Sequence, residues 1–334
     1  MSSSHPSSPS SPTAEMQVTS AIVPRQMMRG HTDWVHGVVH LPDVRRIITC
    51  SSDGSLRVWD MESGTQIGDD WRDEEDALVA MKVLTMALSP NSKMVASGSR
   101  DGTVRLWDVR TGKVIARWLE HTNKVESLCW SPNGERVVSG CFDGTARVWD
   151  VESGETIMGP IKTGHDEVYA VAYSPDGSKF ATGGYKGGVK IWDSTTGELL
   201  HTLEPFSVWC LTWTSDGKMI ISGSSNHSIG IIDTTTWQQV AILEGHVNAV
   251  TAITLSRNDR LLASTSWDHT ARLWNLESNL QVGLPLQPEK NLECAAFSAD
   301  GTCLVTGCND TNVYVWDVGA ILKEHRLEHL LPVS

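Results

Sequence analysis

The sequence lacks features that would assign it to a membrane, to an oxidising compartment or to a zinc-binding class. No run of apolar residues reaches the ~18 that span a bilayer, and no basic stretch followed by an apolar one marks a secretory signal. The seven cysteines are odd in number and form no C-x-x-C pair, which argues against a disulfide framework or a zinc motif. We therefore expect a protein with reduced cysteines, located in the cytoplasm or the nucleus.

Basic residues and phosphate-binding loops are also scarce. Lys and Arg number 27 against 40 Asp and Glu, which gives a net charge of −13. Because nucleic-acid affinity depends on neutralising phosphates, this balance disfavours a nucleic-acid partner. Histidines such as His31, His36 and His40 do not recur with metal-ligand spacing, and no phosphate loop is present. We expect no metal, no cofactor and no small-molecule substrate.

What the sequence does contain is an internal repeat. A Trp-Asp pair or a close variant recurs at steps of 40 to 48 residues. The seven pairs are Trp59-Asp60, Trp107-Asp108, Trp149-Asp150, Trp192-Asp193, Ile232-Asp233, Trp274-Asn275 and Trp316-Asp317. Four of them have a His upstream, at Gly30-His31, Glu120-His121, Gly164-His165 and Gly245-His246. A period of this length indicates a fold of stacked supersecondary units.

Each repeat has the pattern of about four short strands. Residues 105–107 and 190–192 alternate polar and apolar side chains, as half-buried strands do. Turn sequences such as those at residues 175–177 and 215–217 separate the strands. One repeat has too little apolar surface to fold alone, so the repeats are expected to pack against one another.

Together these marks resemble the WD40 repeat family over residues 18–317. The resemblance implies an all-β fold, a seven-bladed β-propeller of four-stranded antiparallel blades. It leaves a Ser/Pro-rich tail at residues 1–17, which we expect to be disordered. Residues 318–334, rich in Leu, Glu, Lys, Arg and His, are predicted to form a short C-terminal helix or tail.

The ring is predicted to close through the N-terminus. No strand-like run follows the last Trp-Asp pair, whereas residues 21–28 occupy the position that residues 113–118 and 238–243 fill in later repeats. We expect this N-terminal strand to pair into the last blade, which would remove a free sheet edge.

Three repeats carry a His, a Ser or Thr, an Asp and a Trp at matching offsets. The sets are His31, Thr49, Asp53 and Trp59; His121, Ser139, Asp143 and Trp149; and His246, Ser264, Asp268 and Trp274. A Ser, a His and an Asp could form a nucleophile, a base and an orienting group. Three copies tied to a repeated Trp instead favour hydrogen-bonded structural tetrads, which the resemblance also implies. We expect no catalytic residues among them.

Four repeats depart from this pattern, and repeats two and seven lack only the His. Lys186 stands at the Asp position of repeat four, and repeat five has Asn226 there and Ile232 in place of the Trp. Blades four and five are therefore a weaker sector, a sector altered for binding, or the product of plain divergence.

The resemblance places partners on the top face, over the central channel. Positions before each tetrad Asp and beside the first apolar residue of each innermost strand would line that face. The residues expected to bind a partner are Trp34, His36, Lys82, Arg100, Lys124, Phe142, Tyr169, Tyr185, Trp209 and Trp267. Because aromatic residues and Arg dominate interface hot spots, we expect this rim to hold a protein or an extended peptide, through an acidic segment or a cationic side chain.

These features predict a non-enzymatic protein-interaction scaffold. One alternative is a substrate receptor of a cullin-ring ubiquitin ligase, because residues 95–110 end in a Trp-Asp-x-Arg pattern with Asp108 and Arg110 as possible adaptor contacts. A second is an enzyme that uses the central channel. The acidic segment at residues 69–76 is either a solvated loop or a contact for a basic partner.

Overall fold

The computed structural model describes residues 22–73, 82–203 and 206–332. These residues form seven four-stranded antiparallel sheets, and the innermost strand of each sheet packs against those of its two neighbours to close a ring. The seven-bladed propeller predicted from the repeat is therefore confirmed. The tail predicted at residues 1–17 lies outside the described residues, as do residues 74–76 of the acidic segment.

Each blade is named by its order in the chain, and its strands run from the channel outward. Strand β1 (Gln26–Met28) comes first in the chain but belongs to blade seven. The other strands are β2 (Val35–His40), β3 (Arg46–Ser51), β4 (Leu56–Asp60) and β5 (Gln66–Trp71) in blade one; β6 (Val83–Leu88), β7 (Met94–Ser99), β8 (Val104–Asp108) and β9 (Lys113–Trp118) in blade two; β10 (Val125–Trp130), β11 (Arg136–Cys141), β12 (Thr145–Asp150) and β13 (Thr156–Lys162) in blade three; β14 (Glu167–Tyr173), β15 (Lys179–Tyr185), β16 (Val189–Asp193) and β17 (Leu199–Leu203) in blade four; β18 (Val208–Trp213), β19 (Met219–Ser224), β20 (Ile229–Asp233) and β21 (Gln238–Leu243) in blade five; β22 (Val250–Leu255), β23 (Leu261–Ser266), β24 (Ala271–Asn275) and β25 (Leu280–Leu286) in blade six; and β26 (Leu292–Phe297), β27 (Cys303–Cys308) and β28 (Val313–Asp317) in blade seven.

The second strand of each blade is buried because a neighbouring blade covers each of its faces. In β11, Val137 packs in a cluster with Leu106 of blade two, whereas Val138 packs in a cluster with Val168 of blade four. Side chains alternate between the two faces of a strand, so consecutive residues contribute to different inter-blade cores. The apolar core of the molecule is therefore a set of layers between the blades.

The blades approach one another most closely at a small residue in the second strand. A Cβ atom at Gly140 would lie 2.6 Å from Val168 Cγ1 of the next blade, and one at Gly307 would lie 2.8 Å from Val35 Cγ1. The second contact joins blade seven to blade one. A larger side chain at either glycine would push adjacent blades apart, so glycine is required by packing at these positions.

Strand β1 closes the ring as predicted. Its residues pair antiparallel with β28, with Gln26 opposite Val315 and Met28 opposite Val313, and the Met28 side chain is only 1% exposed. The strand is shorter than the segment expected to form it, and it begins two residues after Pro24. First and last segments of the propeller therefore share one sheet.

The C-terminal segment packs against blades six and seven. Asp317 caps the N-terminus of helix α1 (Val318–Glu324), because its Oδ1 accepts a hydrogen bond from the Ala320 N–H at 2.8 Å. A 3-10 helix (Glu328–Leu330) follows, and its backbone carbonyls accept hydrogen bonds from two side chains of blade six, Asn258 and Arg260. At seven residues, α1 is too short to cross a bilayer, and no longer apolar helix occurs in the described part of the chain.

Candidate functional site

A cavity of about 840 Å³ opens where the innermost strands of all seven blades meet, and we call the residues that line it the mouth. Nine of the ten residues expected to bind a partner lie there: Trp34, His36, Lys82, Arg100, Lys124, Phe142, Tyr169, Trp209 and Trp267. The tenth, Tyr185, lies outside the cavity lining. Its ring is 45% exposed, and Lys186 Nζ lies 5.0 Å from the ring centroid.

Bulges in the innermost strands turn side chains toward the mouth. In blade five the register with β19 shifts between Val208 and Cys210, which leaves Trp209 as the extra residue. The same shift occurs in every blade, and the extra residues are His36, Leu84, Glu126, Tyr169, Trp209, Thr251 and Glu293. A bulge re-aims a side chain out of the ladder, so the identity of this one residue sets what each blade offers to a ligand.

Four aromatic rings from blades three to six form a continuous arc around the mouth. The ring centroids of Phe142 and Tyr169 are 6.0 Å apart, and those of Tyr169 and Trp209 are 5.1 Å apart. Trp209 and Trp267 then meet edge to face at 4.6 Å. Lys124 Nζ lies 3.7 Å from the Phe142 ring centroid at one end of the arc. We call Phe142, Tyr169, Trp209 and Trp267 the aromatic arc.

The charges of the mouth are mostly engaged within the protein. Lys82 Nζ donates to Asp33 Oδ2 at 2.8 Å and lowers the pKa of that carboxyl, and Lys124 forms an ion pair with Glu126. Arg100 differs, because its exposed guanidinium has no hydrogen bond or ion pair with the described side chains. It is therefore the cation at the mouth that is available to a ligand.

Two titratable groups of the mouth are shifted by burial. Burial lowers the pKa of His36 to about 4, so its ring is neutral at pH 7 and shares a hydrogen bond with Ser52 Oγ at 2.8 Å. Burial also raises the pKa of Glu293 to about 7, although Trp267 Nε1 donates to Glu293 Oε1 at 3.1 Å. Sequence reasoning placed Glu293 among the positions that line this face but did not select it as a partner contact. Its position as the bulge residue of blade seven is the signal that could have selected it.

The tetrad of blade one is a connected hydrogen-bond network. His31 Nδ1 lies 2.8 Å from Asp53 Oδ2, His31 Nε2 lies 2.8 Å from Thr49 Oγ1, and Trp59 Nε1 donates to the same hydroxyl at 2.7 Å. Burial opposes ionisation of Asp53, but hydrogen bonds from His31 and Ser55 hold its pKa well below the usual range. The tetrad of blade six repeats these contacts with His246, Ser264, Asp268 and Trp274.

The tetrad of blade three is open at one contact. His121 Nε2 and Trp149 Nε1 both reach Ser139 Oγ, at 2.7 and 2.8 Å, but His121 Nδ1 is 3.9 Å from Asp143 Oδ2. Thr122 Oγ1 donates to that carboxylate oxygen at 2.9 Å instead. Three of the four expected members are therefore joined, and the carboxylate is held by a neighbouring hydroxyl.

Blade four keeps most of a tetrad that the sequence had not identified. His165 Nε2 is 3.1 Å from Thr182 Oγ1, and Trp192 Nε1 donates to the same oxygen at 3.0 Å. His165 Nδ1 donates to the backbone carbonyl of Lys186 at 2.7 Å, so this carbonyl replaces the missing Asp. Lys186 has φ of 60°, the left-handed conformation that turns its carbonyl toward the ring.

Comparison with known proteins assigns the chain to a family. A family model described as the IFT122 first beta-propeller matches residues 80–317, which is more than half of the chain, and the model of the WD domain, G-beta repeat, matches residues 22–60. The chain belongs to the WD40 repeat family of β-propellers. Proteins of this family generally act as non-catalytic scaffolds for protein interactions.

Curated relatives share part of the propeller. The chain is similar to a periodic tryptophan protein 2 homolog of Neurospora crassa, with 30% identity over 39% of this chain and 15% of the relative. It is also similar to pre-mRNA-processing factor 19 of Oryza sativa subsp. japonica, with 32% identity over 35% of this chain and 22% of the relative. Autophagy-related protein 16 of Arabidopsis thaliana is 28% identical over 33% of this chain and 22% of the relative. The chain thus spans less than a quarter of each of these relatives.

The two residues considered for ligase-adaptor binding lie away from the mouth of this WD40 propeller. Asp108 Oδ1 accepts hydrogen bonds from the backbone and hydroxyl of Thr111, which hold its pKa below the usual range. Arg110 is exposed and lines a groove of about 460 Å³ together with Trp71 of blade one. The Asp108 carboxylate stabilises a turn, and Arg110 is the more available of the two.

The described part of the acidic segment pairs with arginines of the propeller. Asp70 Oδ2 accepts a hydrogen bond from Arg57 at 3.1 Å, and Asp73 Oδ2 accepts hydrogen bonds from Arg105 and Arg117 at 2.8 Å each. Arg105 and Asp73 are both nearly buried, with 4% and 7% of their side chains exposed. These carboxylates therefore bind the segment to blades one and two.

Proposed function

We propose that this WD40 propeller is a non-enzymatic scaffold that binds an extended segment of a protein partner at the mouth. The aromatic arc within the 840 Å³ cavity is the observation that carries the proposal. Large rigid rings at the centre of a concave surface bury much apolar area and lose little side-chain entropy on binding. An apolar or aromatic side chain of the partner would lie against Trp209, at the middle of the arc.

Electrostatics of the mouth favour a partner segment that also carries a carboxylate. Arg100 is exposed and unpaired among the described side chains, whereas Lys82 and Lys124 are already neutralised by Asp33 and Glu126. An Arg guanidinium presents a planar fork of donors that fits a carboxylate. The arc would therefore supply most of the affinity, and Arg100 would fix the orientation of the bound segment.

The carboxylates of Glu126 and Glu293 at the mouth already have partners within the protein, which supports binding rather than catalysis. Glu126 is paired with Lys124, and Glu293 accepts a hydrogen bond from Trp267. A catalytic acid and base would need to reach a substrate held between them, whereas these two groups are occupied by their neighbours. The three tetrads are likewise engaged in packing around Trp59, Trp149 and Trp274.

Affinity purification with quantitative mass spectrometry tests the proposal. The double variant Trp209→Ala/Arg100→Ala should lose the partners that the unaltered chain captures. Tyr185→Ala is the matched control, because Tyr185 is an exposed aromatic residue at the same repeat position as Phe142 but lies outside the mouth. Full partner recovery by a folded double variant would show that the mouth is not the binding surface.

A second candidate function is supported by the groove at Arg110. The exposed Arg110 beside the partly exposed Trp71 would contact a ligase adaptor, as in substrate receptors of cullin-ring ligases. Arg110→Ala should then lose a co-purified adaptor, while the Trp209→Ala/Arg100→Ala variant should keep it. Absence of any adaptor from the unaltered chain's purification would remove this candidate.

We also propose that the protein is located inside the cell. All seven cysteines are free, and six of them are buried, as expected of a protein that folds where thiols stay reduced. Imaging of a fluorescent fusion would test the location, and a fusion recovered from the culture medium with oxidised cysteines would contradict it.

A further inference from the structure

Three potential metal ligands converge in blade three, where Cys141 and Asp143 flank the mouth residue Phe142 in the sequence. They are His121 Nδ1, Cys141 Sγ and a carboxylate oxygen of Asp143, and all three atoms lie within 4.8 Å of one another. No other trio of His, Cys, Asp or Glu meets this condition in the part of the chain that the structure describes. The tetrad geometry explains why His121 faces Asp143, but it does not require the Cys141 thiol beside them.

The His121 ring has an unsatisfied nitrogen that points into this cluster. His121 is 6% exposed, and its Nδ1 has no hydrogen-bond partner among the described residues. The equivalent nitrogens of His31 and His246 lie 2.8 Å from the tetrad Asp, whereas His121 Nδ1 is 3.9 Å from Asp143 Oδ2. A buried polar atom without a partner is uncommon and needs an explanation, and a bound ion would supply one.

Blade three also differs from most other blades in having a cysteine, Cys141, two residues before the tetrad Asp. Four other blades have a serine there: Ser51, Ser99, Ser224 and Ser266. Blade seven has Cys308 but no His at the tetrad position, so the thiol and the imidazole occur together only in blade three. Because thiolate, imidazole and carboxylate are the three ligand types of protein zinc sites, blade three has a ligand set that the others lack.

The surrounding hydrogen bonds would orient two of the ligands. His121 Nε2 lies 2.7 Å from Ser139 Oγ, which places Nδ1 toward Cys141 and Asp143. Thr145 Oγ1 donates to Asp143 Oδ1 at 2.6 Å, and Thr122 Oγ1 donates to Oδ2 at 2.9 Å, which is the oxygen on the side of the His ring. Ligating side chains in metal sites are normally held by such outer contacts.

We propose that His121, Cys141 and Asp143 bind a divalent zinc-class ion. Ligand atoms around one tetrahedral zinc lie roughly 3.5 Å apart, so the cluster would contract by about 1 Å on binding. Cys141 would bind as the thiolate and release its proton to solvent. The Asp143 side chain is 19% exposed, so a water molecule can supply the fourth ligand. The spacing of histidines had predicted no metal, because these ligands are separated along the chain and meet only through the fold.

The test uses the full chain after treatment with a chelator, with Co²⁺ and Zn²⁺ as probes. Cys141→Ser is the main variant. Cys141 Sγ donates to the Asn123 carbonyl and accepts from the Asp143 N–H, and Ser51 makes the same two bonds in blade one, so serine fits this position. Cys308→Ser is the matched control, because it changes a buried cysteine at the same position of blade seven.

The unaltered chain and Cys308→Ser should bind one ion per chain and show a thiolate-to-cobalt charge-transfer band, whereas Cys141→Ser should lose the band and bind Zn²⁺ at least about tenfold more weakly. Absence of the band in the unaltered chain, or its persistence in Cys141→Ser, would overturn the proposal. If Cys141→Ser does not fold, alkylation of the unaltered chain decides: Zn²⁺ should slow modification of Cys141 but not of Cys308, and equal rates would overturn the proposal.

Discussion

The indole N–H of Trp267 donates to Glu293 Oε1 across the junction of blades six and seven, at 3.1 Å. This contact links the end of the aromatic arc to a carboxyl group whose pKa burial raises to about 7. The same carboxyl in the unfolded chain titrates near 4.5. The folded protein therefore binds this proton more tightly than the unfolded chain does, and it loses stability as the pH rises from 4.5 to about 7.

Glu293→Gln should remove this pH dependence, because the amide stays neutral and keeps an oxygen for Trp267 to donate to. The free energy of unfolding of the variant should gain about 2 kcal/mol over that of the unaltered chain between about pH 5 and about pH 8. Urea denaturation at several pH values measures the difference. Glu155→Gln, at an exposed position of blade three, controls for loss of one negative charge. A constant difference across the pH range would contradict a protonated Glu293.

Thr49→Val tests whether the tetrads stabilise the fold. The Thr49 hydroxyl accepts the Trp59 N–H and contacts His31 Nε2, so the isosteric valine leaves two buried polar atoms without a partner. We expect a loss of about 2–3 kcal/mol in the free energy of unfolding, measured by chemical denaturation. Thr32→Val is the matched control, because Thr32 is exposed and only its backbone N–H is used. Similar stabilities for the two variants would show that the network contributes little.

The architecture could be predicted from the sequence because it depends on features that repeat at fixed offsets. The Trp-Asp spacing predicted seven blades, and the position of residues 21–28 relative to later repeats predicted the pairing of β1 with β28. The same offsets selected nine residues of the mouth, and three of these, His36, Tyr169 and Trp209, are the bulge residue that recurs in every innermost strand. Repeats that share a sequence pattern therefore adopt the same backbone geometry in each blade.

Features that differ between blades could not be predicted in this way. The Lys186 carbonyl replaces an Asp only because its backbone adopts a left-handed conformation. The open contact of His121 occurs together with a hydrogen bond from the Thr122 hydroxyl to the Asp143 oxygen, while Thr32 in the same position of blade one uses only its N–H. The pairing of Asp73 with two arginines of blade two joins residues more than 30 positions apart. Each depends on one side chain or one dihedral angle.

Met28→Ala tests the closure of the ring. Met28 lies in β1 opposite Val313, and its buried side chain packs in a cluster with Val35 and Trp59 of blade one. Truncation leaves a cavity at the junction of the first and last blades, so the free energy of unfolding should fall by about 2–4 kcal/mol. Thermal and urea unfolding provide the measurement.

Val23→Ala is the control for ring closure, because Val23 belongs to the same segment but is 77% exposed. It should unfold with the unaltered chain. If Met28→Ala also behaved like the unaltered chain, β1 would contribute no stability, and the ring would be held closed by the contact of Gly307 with Val35 and its surroundings.

Lys186→Gly should stabilise the protein, which is an unusual expectation for a change in a regular repeat. The left-handed backbone at Lys186 is strained for any side chain with a Cβ, whereas glycine adopts it freely. The carbonyl that accepts from His165 belongs to the backbone and is retained. The exposed pair of Lys186 with Asp166 is lost, but such surface pairs contribute little. Glycine also gains entropy in the unfolded chain, which offsets part of the relief of strain, and we expect a net increase of about 0.5 kcal/mol in the free energy of unfolding. Asp166→Asn, measured in parallel by urea denaturation, isolates the loss of the ion pair. A clear destabilisation by Lys186→Gly together with an unchanged Asp166→Asn would show that the left-handed conformation at this position carries no strain.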